Sequence, residues 1–358
     1  MFHRSFRRAL VAGLATTLAL TACSQGSDDS GGDSKTSKTV TLVTHESFNV
    51  TKEVLDDFTK QTGITVKVLR SGDAGAAVNQ AILTKGKPQG DVFFGVDNTF
   101  LSRALKARIF TPYKPAGLDQ VPAEYQLDSG HHVTPIDYGD VCVNYDKEYF
   151  AAKKLAPPQS YADLAKPAYK NLLVTENAAT SSPGLAFLLG SIAEFGKDGW
   201  EKYWRDLKAN GVEVVDGWEQ AYNGSFSGGS QSKGKKPLVV SYASSPPAEV
   251  AFAEKPLTEA PTGVALDTCF RQIEFAGLLD GAKNAAGGKK LLDFLLTPEF
   301  QQDVPMQMFV FPVRKGATLP AVFTKFAAKP TDPKELPADE IAANREQWIQ
   351  TWTRTVLK

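Results

Sequence analysis

The sequence predicts an α/β fold in two domains, each discontinuous along the chain. Three observations carry that reading. Apolar strand-like runs alternate with amphipathic helix-length segments, first over residues 39–109 and again over 161–242, which is the pattern of α/β units built on a parallel sheet. A chain of 358 residues exceeds what a single hydrophobic core usually organises. Two strand-like stretches, around Cys142 and Cys269, carry the chain from the first unit to the second and back again.

Residues 1–22 read as a lipoprotein signal peptide. Arg4, Arg7 and Arg8 form a basic start, residues 9–20 are apolar, and Leu20-Thr21-Ala22-Cys23 ends the run with small residues before a cysteine. An apolar helix of that length spans ~18 Å against a hydrocarbon core of ~30 Å, so it predicts no spanning anchor. Cys23 is then the lipidated first residue of the mature chain. Residues 23–38, rich in Ser, Gly, Asp and Lys, form a flexible tether. The expected location is extracytoplasmic, lipid-anchored to the outer face of the cytoplasmic membrane. Without residues 1–22 the chain keeps 37 basic and 40 acidic residues, a formal charge of −3 that argues against a nucleic-acid partner.

The first domain begins with strand 39–43. Helix 49–62 follows, with Val54, Leu55 and Phe58 on one face and Gly63 as its stop. Ile64, Val66 and Val68 alternate as a half-buried strand, helix 76–84 leads to the apolar strand 91–96, and 101–109 is helical again. A crossover near residue 138 opens the second domain. There the expected order is helix 161–165, strand 171–175, helices over 183–195 and 200–207, strand 212–215, a helix after Trp218, and strand 238–242. The chain crosses back over 268–273, and helix 287–296 returns to the first domain. Ile341, Arg345, Trp348, Trp352 and Val356 make one face of a C-terminal helix, with the tryptophans as packing residues. The domains are therefore 39–138 with 269–358, and 139–268.

In an oxidising compartment Cys142 and Cys269, 127 positions apart, are expected to form a disulfide beside the two crossings. The histidines His3, His45, His131 and His132 show no metal-ligand spacing, and no nucleotide-binding or hydrolase motif is present. No metal, no cofactor and no enzymatic activity are expected. Binding candidates come from element ends. Ser181, Ser182 and Gly184 surround a helix start suited to capping or to an anion, and Asp73 with Ala74 opens another. Asp97 and Asn98 end an apolar strand where α/β sheets place their crevices. Trp218 begins a helix after a strand, and Tyr242 with Ser245 sits where strand 238–242 turns. Core packing is the alternative for both aromatics.

The segments 44–48, 90–98, 135–139, 180–184, 217–222, 241–246, 311–313 and 345–348 resemble, in order and spacing, the thiamine-binding branch of the two-lobed extracellular solute-binding proteins of ABC importers. The resemblance covers residues 39–357. It implies the type II periplasmic-binding-protein fold, with lobes joined by a two-strand hinge and closing on thiamine or its phosphates. It implies an ABC permease with its ATPase subunit as partner and a monomer as the working form. Tyr242 and Trp218 match cleft contacts, Asp73 an acidic contact, and Ser181 with Ser182 the phosphate side. His45 stands where the family often has Tyr, Phe309 where it has Trp, and Ala248 where it has a second Tyr. Alternatives are a same-fold carrier of a polyamine, ferric iron or an oxyanion, or a lipid-anchored hydrolase. The lack of adjacent tyrosines counts against iron.

Overall fold

The computed structural model describes residues 37–358. The expected signal peptide, Cys23 and residues 23–36 of the tether lie outside the described residues. Ten strands form one sheet: β1 (Thr39–Thr44), β2 (Thr65–Arg70), β3 (Val92–Asp97), β4 (Phe110–Thr111), β5 (Thr134–Asp146), β6 (Leu173–Glu176), β7 (Glu213–Val215), β8 (Leu238–Tyr242), β9 (Thr262–Leu279) and β10 (Phe311–Pro312). The main path runs β2-β1-β3-β9-β5-β8-β6-β7, with β10 on β5 and β4 on β9. Around it pack α1 (Lys52–Thr62), α2 (Ala74–Leu83), α3 (Leu101–Ala107), α4 (Lys147–Lys153), α5 (Tyr161–Leu164), α6 (Ser182–Ala209), α7 (Pro246–Ala251), α8 (Ala285–Leu295), α9 (Pro298–Gln307), α10 (Ala321–Phe326) and α11 (Ala338–Val356).

The parallel sheet expected from the alternation exists on the two flanks. β1 pairs in parallel with β2 and β3, and β6 with β7 and β8. The middle is antiparallel, because β5 and β9, which cover the two expected crossings, run in opposite senses. They are 13 and 18 residues long, far longer than a local hinge needs. Their ladder is interrupted between Pro135 and Asp137 and between Val141 and Val143, and such bulges bend and twist a strand pair. The Cys142–Cys269 disulfide is formed, and both sulfurs are buried beside the second irregularity.

Local rules account for the elements that carry the cavity. α1 buries Val54 and Phe58, the ring of Phe58 lying 5.3 Å from Phe294, and ends where Gly63 adopts a φ of 69°. α2 starts two residues earlier than its apolar pattern suggests, since Asp73 caps it by accepting from Ala74 N at 2.5 Å. The two expected helices after residue 182 form one element broken at Gly196, whose φ of 67° and ψ of −178° are not helical.

The C-terminal helix packs on α6 of the second half as well as on α3 of the first. Trp352 meets Trp204 of α6 edge-on at 5.5 Å, and Lys208 Nζ donates to Thr355 O at 3.1 Å. Arg103 of α3 also pairs with Glu346 at 3.1 Å. α11 therefore straddles both halves. The physical reason is its tryptophan stripe, which needs the apolar flank that α6 provides.

Candidate functional site

A cavity of about 420 Å3 is lined by residues from the loop after β1, the start of α2, β5, β9, the start of α6, the turn after β7, β8, α7 and the segment 307–310. Among the predicted residues His45, Asp73, Ala74, Ser182, Trp218, Tyr242, Ser245 and Phe309 line it. Elements far apart in sequence meet here. Asp73 is the joint between them: Oδ1 caps α2 and Oδ2 accepts from Trp218 N at 2.8 Å. One turn on, Ala76 N donates to Thr180 O at 3.0 Å. Gly75 permits this approach, because a Cβ there would lie 2.7 Å from the Thr180 carbonyl.

Trp218 is held from two directions. Its Nε1 donates to Ser241 Oγ at 2.9 Å, which in turn shares a 2.9 Å bond with Ser245 Oγ. Its ring stacks on Tyr222 at 5.0 Å, and the Tyr222 hydroxyl donates to Glu249 Oε1 at 2.9 Å. Tyr242 lies against Gly139, where a Cβ would come within 3.0 Å of its ring. Phe309 reaches the cavity through a left-handed backbone, φ 54°, held by the Ser244 hydroxyl donating to its carbonyl at 2.7 Å. Phe252 packs edge-on against it at 5.5 Å.

The charge of the cavity is one-sided. Glu46, Asp73, Asp137, Glu219, Glu249 and Glu274 line it, against Arg70 and His45. The Arg70 guanidinium is engaged with Phe48 O, its Nη2 donating at 2.9 Å. His45 Nε2 lies 3.4 Å from Glu274 Oε1. Burial works against its imidazolium, but Glu274, Asp73 and Glu46 outweigh that, so its pKa stands above the usual imidazole value. Burial, followed by Glu274 across the ladder, pushes the Asp137 carboxyl well above the usual range. Burial also raises Asp73, against the opposing N–H bonds of Trp218 and Ala74.

Four candidates fall outside this lining. Asp97 is fully buried, and its Oδ1 accepts from Thr99 N at 3.1 Å, Thr99 Oγ1 at 2.6 Å and Phe100 N at 3.1 Å, starting α3. Burial lifts its pKa to about 6. Asn98 joins β3 to β9, donating to Arg271 O at 3.0 Å and accepting from Ile273 N at 2.9 Å. Ser181 caps α6, and Gly184 is a close approach, where a Cβ would lie 2.6 Å from Glu176 O. These four residues tie neighbouring elements together and do not line the cavity. The residues missed include Asp137, Gln272 and Glu274. Their signal was available: polar side chains at alternating positions inside an otherwise apolar strand are out of place unless they face a site. Among the described residues no group of three or more His, Cys, Asp or Glu could hold a metal ion.

A family model described as bacterial extracellular solute-binding protein matches residues 87–340. The chain belongs to the bacterial extracellular solute-binding proteins. Two relatives cover nearly the whole solute-binding protein. The thiamine-binding periplasmic protein of Brucella suis is 31% identical over 88% of this chain and 91% of its own length. That of Escherichia coli is 30% identical over 89% and 94%. The solved structure of a periplasmic thiamin binding protein matches with a TM-score of 0.77 at 28% identity, covering 89% of this chain and 96% of its own. The fold is accordingly the α/β, type II periplasmic-binding-protein fold.

Proposed function

We propose that this solute-binding protein captures thiamine in the cavity and delivers it to an ABC permease with its ATPase subunit. The observation that carries the reading is the pairing of an acidic lining with the aromatic side chains Trp218, Tyr242 and Phe309. A thiazolium cation gains from both carboxylates and aromatic faces, and a ring-sized organic ligand fits a cavity of about 420 Å3. The thiamine-binding names of the relatives support the same solute.

In this reading residues 39–138 with 269–358 and residues 139–268 act as lobes that close about β5 and β9. The Asp73–Trp218 and Ala76–Thr180 bonds belong to the closed state. The protein works as a monomer without turnover or cofactor, lipid-anchored through Cys23 outside the cytoplasmic membrane. A Cys23→Ser change then moves it from the membrane fraction to the soluble one.

Thiamine phosphates are the second ligand class, favoured by the start of α6 and the Ser182 hydroxyl at the cavity. Acidic groups crowd that helix start. Ser181 neighbours Asp73, and Ser182 neighbours Asp97. Each added phosphate charge therefore meets repulsion, and the expected order is thiamine, monophosphate, diphosphate. Isothermal titration of residues 38–358, unfolded and refolded to strip carried-over ligand, tests both points. Saturable one-to-one binding of thiamine at micromolar or tighter supports the assignment. No heat with any of the three, or binding of spermidine, ferric iron or an oxyanion in their place, retires it.

A further inference from the structure

The β5–β9 wall of the cavity holds three buried polar side chains, two of which keep an oxygen that no hydrogen bond reaches. Asp137 is 2%, Gln272 4% and Glu274 7% exposed, and all three line the cavity. Asp137 stands directly across from Glu274 in the β5–β9 ladder, while Gln272 precedes Glu274 by two residues and so shares its face. Asp137 Oδ2 and Gln272 Oε1 are buried without a hydrogen-bond partner. Native proteins seldom leave such atoms unmet, and their partners are commonly water or a ligand.

The chemistry of the trio narrows what that partner is. Two carboxyl groups opposed in a buried ladder do not both ionise. Burial holds the Asp137 carboxyl in its protonated form, so its free oxygen presents an O–H donor beside the Glu274 carboxyl oxygens, with Gln272 Oε1 as a further acceptor. His45 occupies one side of Glu274 at 3.4 Å. A linear polyammonium ion brings donors alone and leaves the acid proton unmatched. An oxyanion brings acceptors alone and faces like charge. A planar amino-heterocycle has exocyclic N–H donors next to a ring-nitrogen acceptor, the same mixture of donor and acceptor needs that the wall presents.

Resting on the thiamine reading, we propose that Asp137, Gln272 and Glu274 read the aminopyrimidine edge of the ligand and set specificity for an amino over an oxo heterocycle. Strand placement suits that task, since two paired strands fix the side chains more firmly than loops do.

The test uses thiamine and oxythiamine, in which an oxo group replaces the exocyclic amine and exchanges donor for acceptor along the edge. Calorimetric titration of the wild type should favour thiamine by on the order of tenfold or more. Glu274→Gln and Asp137→Asn should each shrink that preference to within about threefold, chiefly by weakening thiamine. Gln272→Met, of similar size but without the acceptor, gives the same readout should an acid variant fail to fold. Thiamine bound with undiminished discrimination in the folded variants overturns the role of the wall and leaves the thiamine assignment standing. A wild type that binds no thiamine overturns both.

Discussion

Asp97→Asn should stabilise the ligand-free protein at neutral pH, against the usual rule that a fully buried polar residue is costly to change. Asp97 Oδ1 accepts the bonds that start α3, while Oδ2 is buried without a partner. Asparagine keeps the accepting oxygen and places an amide at the orphaned position, beside the Ser182 hydroxyl. A carboxyl raised from 3.8 to about 6 by burial binds its proton more tightly when folded than unfolded. It therefore supports the fold fully below its unfolded pKa and loses that support as pH rises through the folded one. At pH 8 the penalty is about 3 kcal/mol, and at pH 4.5 about 1 kcal/mol. The variant should exceed the wild type by about those amounts in urea unfolding at the two pH values. An equal gap at both, or a variant less stable at pH 8, refutes the reasoning.

Other outcomes follow from the same geometry. Trp218→Ala and Tyr242→Ala should each weaken thiamine binding by about 1–3 kcal/mol in calorimetry, through lost stacking and packing. Unchanged affinity in both would misplace the aromatic side of the cavity. Ser181→Ala removes the cap of α6 and should cost about 1 kcal/mol of stability, measured in urea, with thiamine affinity held within twofold. Replacing Cys142 and Cys269 together by Ala opens a loop of 127 residues and should lower unfolding free energy by ~4 to 5 kcal/mol on the chain-entropy account. A midpoint equal to that of the oxidised protein would mean that the bond contributes nothing to stability.

Much of the site was legible because strand ends and helix starts are marked locally. Asp73, Trp218, Tyr242 and Ser245 were found from turn and boundary residues, and they line the cavity. Phe309 and His45 came from resemblance alone. The left-handed backbone that brings Phe309 inward leaves no mark in composition. Asp97 and Asn98 show the limit of positional reasoning. A strand end fixes where a residue lies, but not whether its side chain faces the crevice or ties down the next helix.

The sequence by itself determined the α/β alternation, the cysteine pair and the presence of most helices, because periodicity, capping and turn chemistry act over a few residues. Tertiary structure alone decided the rest. The antiparallel centre of the sheet depends on β5 and β9 running the full width of both halves. The place of α11 depends on which apolar flank is free to receive its tryptophans. The acidic wall exists because strand register sets Asp137 opposite Glu274. Their separation of 137 positions carries no local signal, and only pairing of the strands brings the two charges together.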